Sequence, residues 1–261
     1  MPVSTLRATW RSTVFVVGTC GVFSLWVLGA PVAWLIRKPV PWRDRILNWW
    51  SRIGLFALRV RCTVRGPIPR EPCILVANHL SYLDILVLGA VKPLTFVSKA
   101  EVARWPLVGW FAYAMGVVFI KREQKRDLPA VAARIGRELA AGSTIVLFPE
   151  GTSSPGDTVL PFRASLLAHA AEGGFPVAHA TLTYRTPAGC PPAREAVAWW
   201  GDTEFGPHAA ALLRLPHVEA EVHFGDQLLR DPDRKALAER LWSAVAARLP
   251  SAPQPTTAAA P

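Results

Sequence analysis

Residues 14–36 (VFVVGTCGVFSLWVLGAPVAWLI) run for 23 positions without a charge. As a helix this stretch is roughly 34 Å long, enough to cross the hydrocarbon core of a bilayer. Nothing else in the chain restricts the fold as strongly, because a segment this apolar has to be covered by lipid or by the rest of the protein. Arg37 and Lys38 follow at once. Residues 41–60 then place Ile46, Leu47, Trp50, Ile53 and Leu58 near helical spacing, with arginines between and Trp42, Trp49 and Trp50 suited to a headgroup layer. The reading is a membrane helix at 14–36 and an interfacial amphipathic helix at 41–60, the alternative for the latter being a helix docked on the core.

Charge points to the same partner. Residues 1–65 hold ten Lys and Arg against one acid, Asp44, so they carry +9 of the chain's net +10. Such asymmetry calls for an acidic partner, and the apolar stretch beside it selects an anionic membrane over nucleic acid. A cleaved signal peptide fits less well: no A-x-A site precedes a polar start, and Pro31 and the Trp-rich basic segment follow. More basic residues follow the apolar stretch than precede it, which places the rest of the chain on the cytoplasmic side of the inner membrane. Gly18, Gly21, Gly29 and Pro31 leave a shallow or re-entrant insertion open. Cys20, Cys62, Cys73 and Cys190 form no CxxC pair and have no histidine at ligand spacing, so neither a zinc site nor a disulfide framework is expected.

From residue 61 to 249 short apolar runs alternate with amphipathic stretches, as in one α/β domain with a mixed, largely buried sheet flanked by helices. Strands are expected at 60–64, 73–77, 94–98, 116–121, 143–148, 176–184, 196–200 and 218–224. Helices are expected at 82–90, 106–114, 127–142, 162–171, 207–213 and 233–248, with Gly142 closing the third. Residues 250–261 (SAPQPTTAAAP preceded by Pro250) lack the apolar content to order themselves.

The candidate site starts at CILVANHLSYLD, residues 73–84. On a regular helix, positions five apart differ by about 140°, so His79 and Asp84 meet only if a strand gives way to a helix between them. Asp84 in the first helical turn could then fix the tautomer of the imidazole and raise the basicity of its other nitrogen. Ser81-Tyr-Leu-Asp84 also has the spacing of a capping box, so Asp84 could simply satisfy the helix start. Lys121 and Arg122 end an apolar strand and could meet an anion, or form a solvated turn. Pro149-Glu150-Gly151-Thr152 ends another, with a carboxylate beside a glycine that allows close backbone approach. Arg163 stands at an expected helix start, where a cation is unwelcome unless an anion is near.

In order, NHLSYLD (78–84), GVVFIKR (116–122), FPEGT (148–152) and FPVAHATL (175–182) resemble the four blocks of the glycerolipid acyltransferase family, and SKAEVARWPLVGW (98–110) resembles its connector. The likeness covers about residues 60–185. It implies that His79 acts as general base on an acceptor hydroxyl, that Asp84 orients the imidazole, and that the acyl group passes directly from a thioester. It implies no resident cofactor, with acyl carrier protein or coenzyme A bringing the acyl group as co-substrate, and membrane lipids as partners. Arg122 would bind the acceptor's phosphate, and Glu150, Gly151 and Thr152 would shape its pocket. The implied acceptor is first 1-acyl-sn-glycerol 3-phosphate, giving phosphatidic acid. However, members forming phosphatidic acid commonly continue EGT with an arginine, and here Ser153 follows. This resembles members that acylate lyso-ornithine lipid, so Lys121, Lys99 or Arg163 would have to supply any missing phosphate contact. A non-catalytic membrane-surface protein of the same fold is disfavoured by the intact His79, Asp84 and Glu150, and a hydrolase by the lack of a G-x-S-x-G elbow.

Overall fold

The computed structural model describes residues 3–104, 108–120 and 128–249. Two helices, α1 (Val3–Leu35) and α2 (Pro39–Leu58), precede strand β1 (Val60–Arg65). The middle of the chain then alternates: β2 (Ile74–Ala77), α3 (Leu83–Val91), β3 (Thr95–Lys99), α4 (Val108–Ala114), β4 (Val118–Ile120), α5 (Leu128–Ala140), β5 (Ile145–Leu147), α6 (Ala168–Glu172) and β6 (Val177–Arg185). Short α7 (Ala193–Ala196), then α8 (Phe205–Arg214), β7 (Val218–Phe224) and α9 (Arg234–Ala246) complete it.

The seven strands form one mixed sheet in the order β1-β7-β6-β2-β5-β3-β4. Strands β6, β2, β5, β3 and β4 are parallel, and β7 joins β6 antiparallel, with β1 parallel to β7. The start of β7 therefore lies beside the end of β6, Ala220 opposite Tyr184. All four residues of β2 are buried, which explains why it reads as a continuous apolar run rather than an alternating one. Leu75 and Ala77 point into a core shared with α2 and α3, while Ile74 and Val76 point into one shared with α5, α6 and α9.

The helices of the N-terminal hairpin are joined by three residues and so run antiparallel, packed closely. A side chain at Gly29 would sit 2.2 Å from the Trp42 ring, and one at Gly18 would meet Ile53 at 2.4 Å. Both ends of α1 are tied to the rest of the molecule. Near its start, Arg11 donates to the carbonyls of Leu213, Leu215 and Pro216 at 2.6–3.0 Å, a cation on the C-terminal end of α8. Near its end, Gly29 lies on Trp42, whose neighbour Arg43 is buried in ion pairs with Asp44 at 2.7 Å and with Glu138 of α5 at 2.9 Å. Ser143 completes this cluster by donating to Asp44. Gly116, at φ +69°, leaves room for the guanidinium, since a Cβ there would fall 1.9 Å from it.

Several expectations change. Arg43 of the amphipathic stretch is buried in ion pairs, and Trp50, expected to suit a headgroup layer, is half-buried with its indole donating to Thr19 of α1. Helix 162–171 divides into a 3-10 turn, Ala164–Leu166, and α6. The strand expected at 196–200 is absent: α7 ends there, and a strap follows whose Trp199 N–H donates to Leu80 O, in the turn after β2, at 2.8 Å. The tail at 250–261 lies outside the described residues.

Candidate active site

Strand β2 ends at Ala77, and the chain turns through residues 78–82 into α3. The turn is held from four directions. The Asn78 amide bonds both backbone groups of Leu182 on β6, donating to its carbonyl at 3.0 Å and accepting from its N–H at 2.7 Å. The His79 carbonyl accepts from Ser154 N–H at 2.9 Å, and the Leu80 carbonyl from Trp199. The His79 N–H donates to Glu150 Oε1 at 2.9 Å.

Asp84 stands in the first turn of α3 and is fully buried. Its Oδ2 accepts from His79 Nδ1 at 2.7 Å and from the N–H groups of Leu80 and Ser81 at 2.7 and 3.0 Å. Tyr184, from the end of β6, donates to Oδ1 at 2.7 Å. Four donors thus answer this buried carboxylate. It obliges Nδ1 to carry a proton, which leaves Nε2 with a free lone pair. The His79 ring lies on Phe148, centroids 4.2 Å apart and 15° from parallel, and its side chain keeps 24 % exposure. An imidazole fixed in this way is equipped to take a proton from a hydroxyl.

The capping question has a mixed outcome. Asp84 does reach back to the N–H groups before its helix, but the Ser81 hydroxyl is buried with no partner among the described residues, so the reciprocal half of a capping box is absent.

Glu150 is buried, and its two oxygens accept from backbone N–H groups, His79 on one side and Leu160 at 3.3 Å on the other. Burial pushes its pKa up to about 7, against the pull of those two hydrogen bonds. Its contact with the site is thus through the backbone of His79. Gly151 is buried at φ +76°, the left-handed turn that glycine allows, with its N–H on Phe148 O. Thr152 is exposed. Arg163 bonds through its N–H to Pro149 O while its side chain is exposed, and Lys99 is exposed at the end of β3, at the same sheet end as His79. No side-chain hydrogen bond joins Lys99, Thr152 or Arg163 to the His79–Asp84–Glu150 group. Lys121 and Arg122 lie outside the described residues. Ser153 donates to the Trp199 carbonyl, so the position after EGT is engaged with the strap.

Tyr184 and Asn78 are the members that sequence reasoning missed. Burial and the Asp84 charge raise the Tyr184 pKa well above its usual value, keeping the phenol a donor.

The family model described as Acyltransferase matches residues 59–182, from β1 to β6. A lyso-ornithine lipid O-acyltransferase of Pseudomonas aeruginosa is 36 % identical over 215 residues, 82 % of each chain. A 1-acyl-sn-glycerol-3-phosphate acyltransferase of Neisseria gonorrhoeae is 34 % identical over 144 residues, 54 % of this chain and 56 % of that one. The crystal structure of the 1-acyl-sn-glycerophosphate acyltransferase PlsC from Thermotoga maritima has the same fold, with a TM-score of 0.67 over 93 % of this chain and 94 % of that one, at 18 % identity. The chain belongs to the glycerolipid acyltransferase family, and it is an O-acyltransferase of the lysolipid type.

Proposed function

We propose that this enzyme acylates the free hydroxyl of a lyso-ornithine lipid, with His79 as general base and Asp84 as the group that orients it. The observation that carries the catalytic part is the 2.7 Å bond from His79 Nδ1 to a buried, four-donor Asp84, with the ring otherwise open. His79 Nε2 takes the hydroxyl proton as the oxygen attacks the thioester carbonyl. The C–S bond breaks, and the departing thiolate recovers the proton from the imidazolium. The thioester comes from acyl carrier protein or coenzyme A, and Asp84 keeps the imidazolium stable between the two transfers.

Two observations support the acceptor. The lyso-ornithine relative aligns over four-fifths of the chain, the glycerol-phosphate relative over about half. Ser153 occupies the position where a phosphate-binding arginine would stand, and its hydroxyl is spent on Trp199. An ornithine headgroup carries an amine and a carboxylate, so it has less need of that second cation than a phosphate dianion has. Arg122 or Lys121 would meet the carboxylate.

The same reading places the enzyme on the cytoplasmic face of the inner membrane. Helix α1 is the one helix among the described residues long and apolar enough to cross a bilayer. Trp10, Val17, Leu28 and Trp34 along it are exposed. Because both its ends are tied to the domain, it would lie in one leaflet alongside the domain rather than cross.

Purified protein given an acyl thioester and either lyso-ornithine lipid or 1-acyl-sn-glycerol 3-phosphate tests both parts. Preference for the first is expected, and preference for the second would reverse the acceptor assignment. His79→Ala that still consumed thioester at the normal rate would end the catalytic one.

A further inference from the structure

A groove of about 700 Å³ lies between the start of α1, the end of α2 and the first residues of β1. Arg7, Arg11, Arg59 and Arg61 line it together with Trp10, Val14 and Phe56, with no carboxylate among the lining residues. Arg7 and Arg11 already serve carbonyl groups at the end of α8. Among the described residues, Arg59 and Arg61 have no side-chain hydrogen bond or ion pair. The nearest acid in the strands, Glu219, sits beside Arg61 in register but pairs with His217 at 3.6 Å. Glu219 and Glu221 border Arg61 only in a neighbouring pocket, and burial, Arg7 and Arg59, in that order, all bear on Arg11.

The backbone adds an independent sign. Arg59 caps α2 in the left-handed conformation at φ +53°, where glycine is the ordinary occupant. Its carbonyl accepts from Val218 N–H at 3.2 Å, so the residue is fixed at the mouth of the groove. The apolar lining is as informative: Phe56 is 74 % exposed and Trp10 68 %. Arginines and exposed aromatic rings lining one groove suit a molecule that is anionic at one end and aliphatic at the other.

We propose that this groove binds one anionic phospholipid of the surrounding leaflet, its phosphate on Arg59 and Arg61 and an acyl chain along Trp10, Val14 and Phe56. The site is distinct from the one at His79 and rests on the membrane reading above. It opens at the same end of the sheet as the catalytic turn, because β7 and β1 run opposite to β6: Val60 pairs with Val218, next to the Glu219–Arg185 pair that ends β6. A lipid held there sets the height of that end against the headgroups. An acidic carrier protein would also find the arginines attractive, but it would not account for the exposed Trp10 and Phe56.

The test is co-flotation of the full-length protein with phosphatidylcholine vesicles, with and without phosphatidylglycerol. Arg59→Asn with Arg61→Gln is compared with Arg45→Gln with Arg52→Gln, an equal charge loss at exposed residues of α2 that do not line the groove. Asparagine is chosen because it tolerates the left-handed backbone. The groove pair is expected to lose on the order of tenfold in affinity for the anionic vesicles, while the distant pair loses at least threefold less. Activity of the groove pair in neutral detergent micelles should match wild type, which reports its folding. If it does not, Arg59→Lys with Arg61→Lys, which keeps the charge, should still float with anionic vesicles. Equal losses from both pairs would overturn the site in favour of diffuse charge attraction. Unchanged flotation with a slower reaction only from acyl carrier protein would overturn it in favour of a donor-docking surface. Wild type that floated with neither vesicle would instead overturn the membrane reading itself, and added inorganic phosphate that competed as well as the lipid would show that no lipid tail is needed.

Discussion

Two buried charge clusters sit at opposite ends of the sheet's central parallel strands, and they are finished differently. In the cluster of Arg43, Asp44, Glu138 and Ser143, side chains answer one another, with Arg134 adding a further bond to Glu138. In the cluster of His79, Asp84, Tyr184 and Glu150 the same economy holds except at one atom, Nε2 of a ring left partly open to solvent. The first cluster fastens α2 to α5 and is complete without a visitor. The second is complete only when something arrives with a proton to give. Burial of charge alone therefore does not mark a site; an unfilled position in an otherwise filled network does.

The comparison can be broken at either end. His79→Ala should lower turnover by about 10²–10⁴-fold, the range of general base catalysis, with little change in melting temperature. Arg43→Met should do the reverse. It strands Asp44 without its cation and leaves Glu138 only Arg134, a loss of about 3–5 kcal/mol in urea unfolding, while the folded fraction retains its specific activity. Less severe is Tyr184→Phe, which deprives Asp84 of one donor. Loss of a hydrogen bond to a charged group, about 1.5–3 kcal/mol, predicts a roughly tenfold or greater fall in kcat with KM nearly unchanged. A purely structural role for the phenol would move stability and leave kcat alone.

The smallest effect concerns pH. The Glu150 carboxyl has its pKa raised from 4.5 to about 7 in the folded protein, chiefly by burial. The folded state thus holds this proton where the unfolded state has lost it. Its contribution to stability is full below pH 4.5 and declines as pH rises toward and through about 7. Glu150→Gln should flatten that decline in a series of urea titrations between those values. An unaltered slope would mean that another group carries it.

Much of this was legible in the chain. The order of strands and helices through the middle follows from apolar runs alternating with amphipathic ones, and the turn between His79 and Asp84 follows from a spacing that no regular helix could use. What stayed hidden depends on distant partners. Tyr184 lies 100 positions from Asp84 and reads, in TLTYR, as an ordinary core residue of a strand. Arg43 has helical spacing typical of a surface arginine, and nothing local shows that Glu138, 95 residues on, will meet it. The 196–200 run has the composition of a strand, yet Val197 and Ala198 fill the core from a strap that makes a single bond to Leu80. Glu150 invited a side-chain partner and found a backbone one, for which sequence carries no letter.

Asn78 has a consequence beyond holding its turn. Its side-chain amide offers Leu182 the same donor and acceptor that a peptide group would, so it serves as a surrogate peptide unit. The backbone of β2 leaves the sheet after Ala77, but the ladder to β6 runs one rung further without it. The point of departure for His79 is thereby referenced to β6, the strand that also carries Tyr184 two residues beyond Leu182. Base and phenol share one ruler, so both are set out from the same strand toward Asp84 on α3. Aspartate at this position, having no N–H to give, would keep only half of that rung.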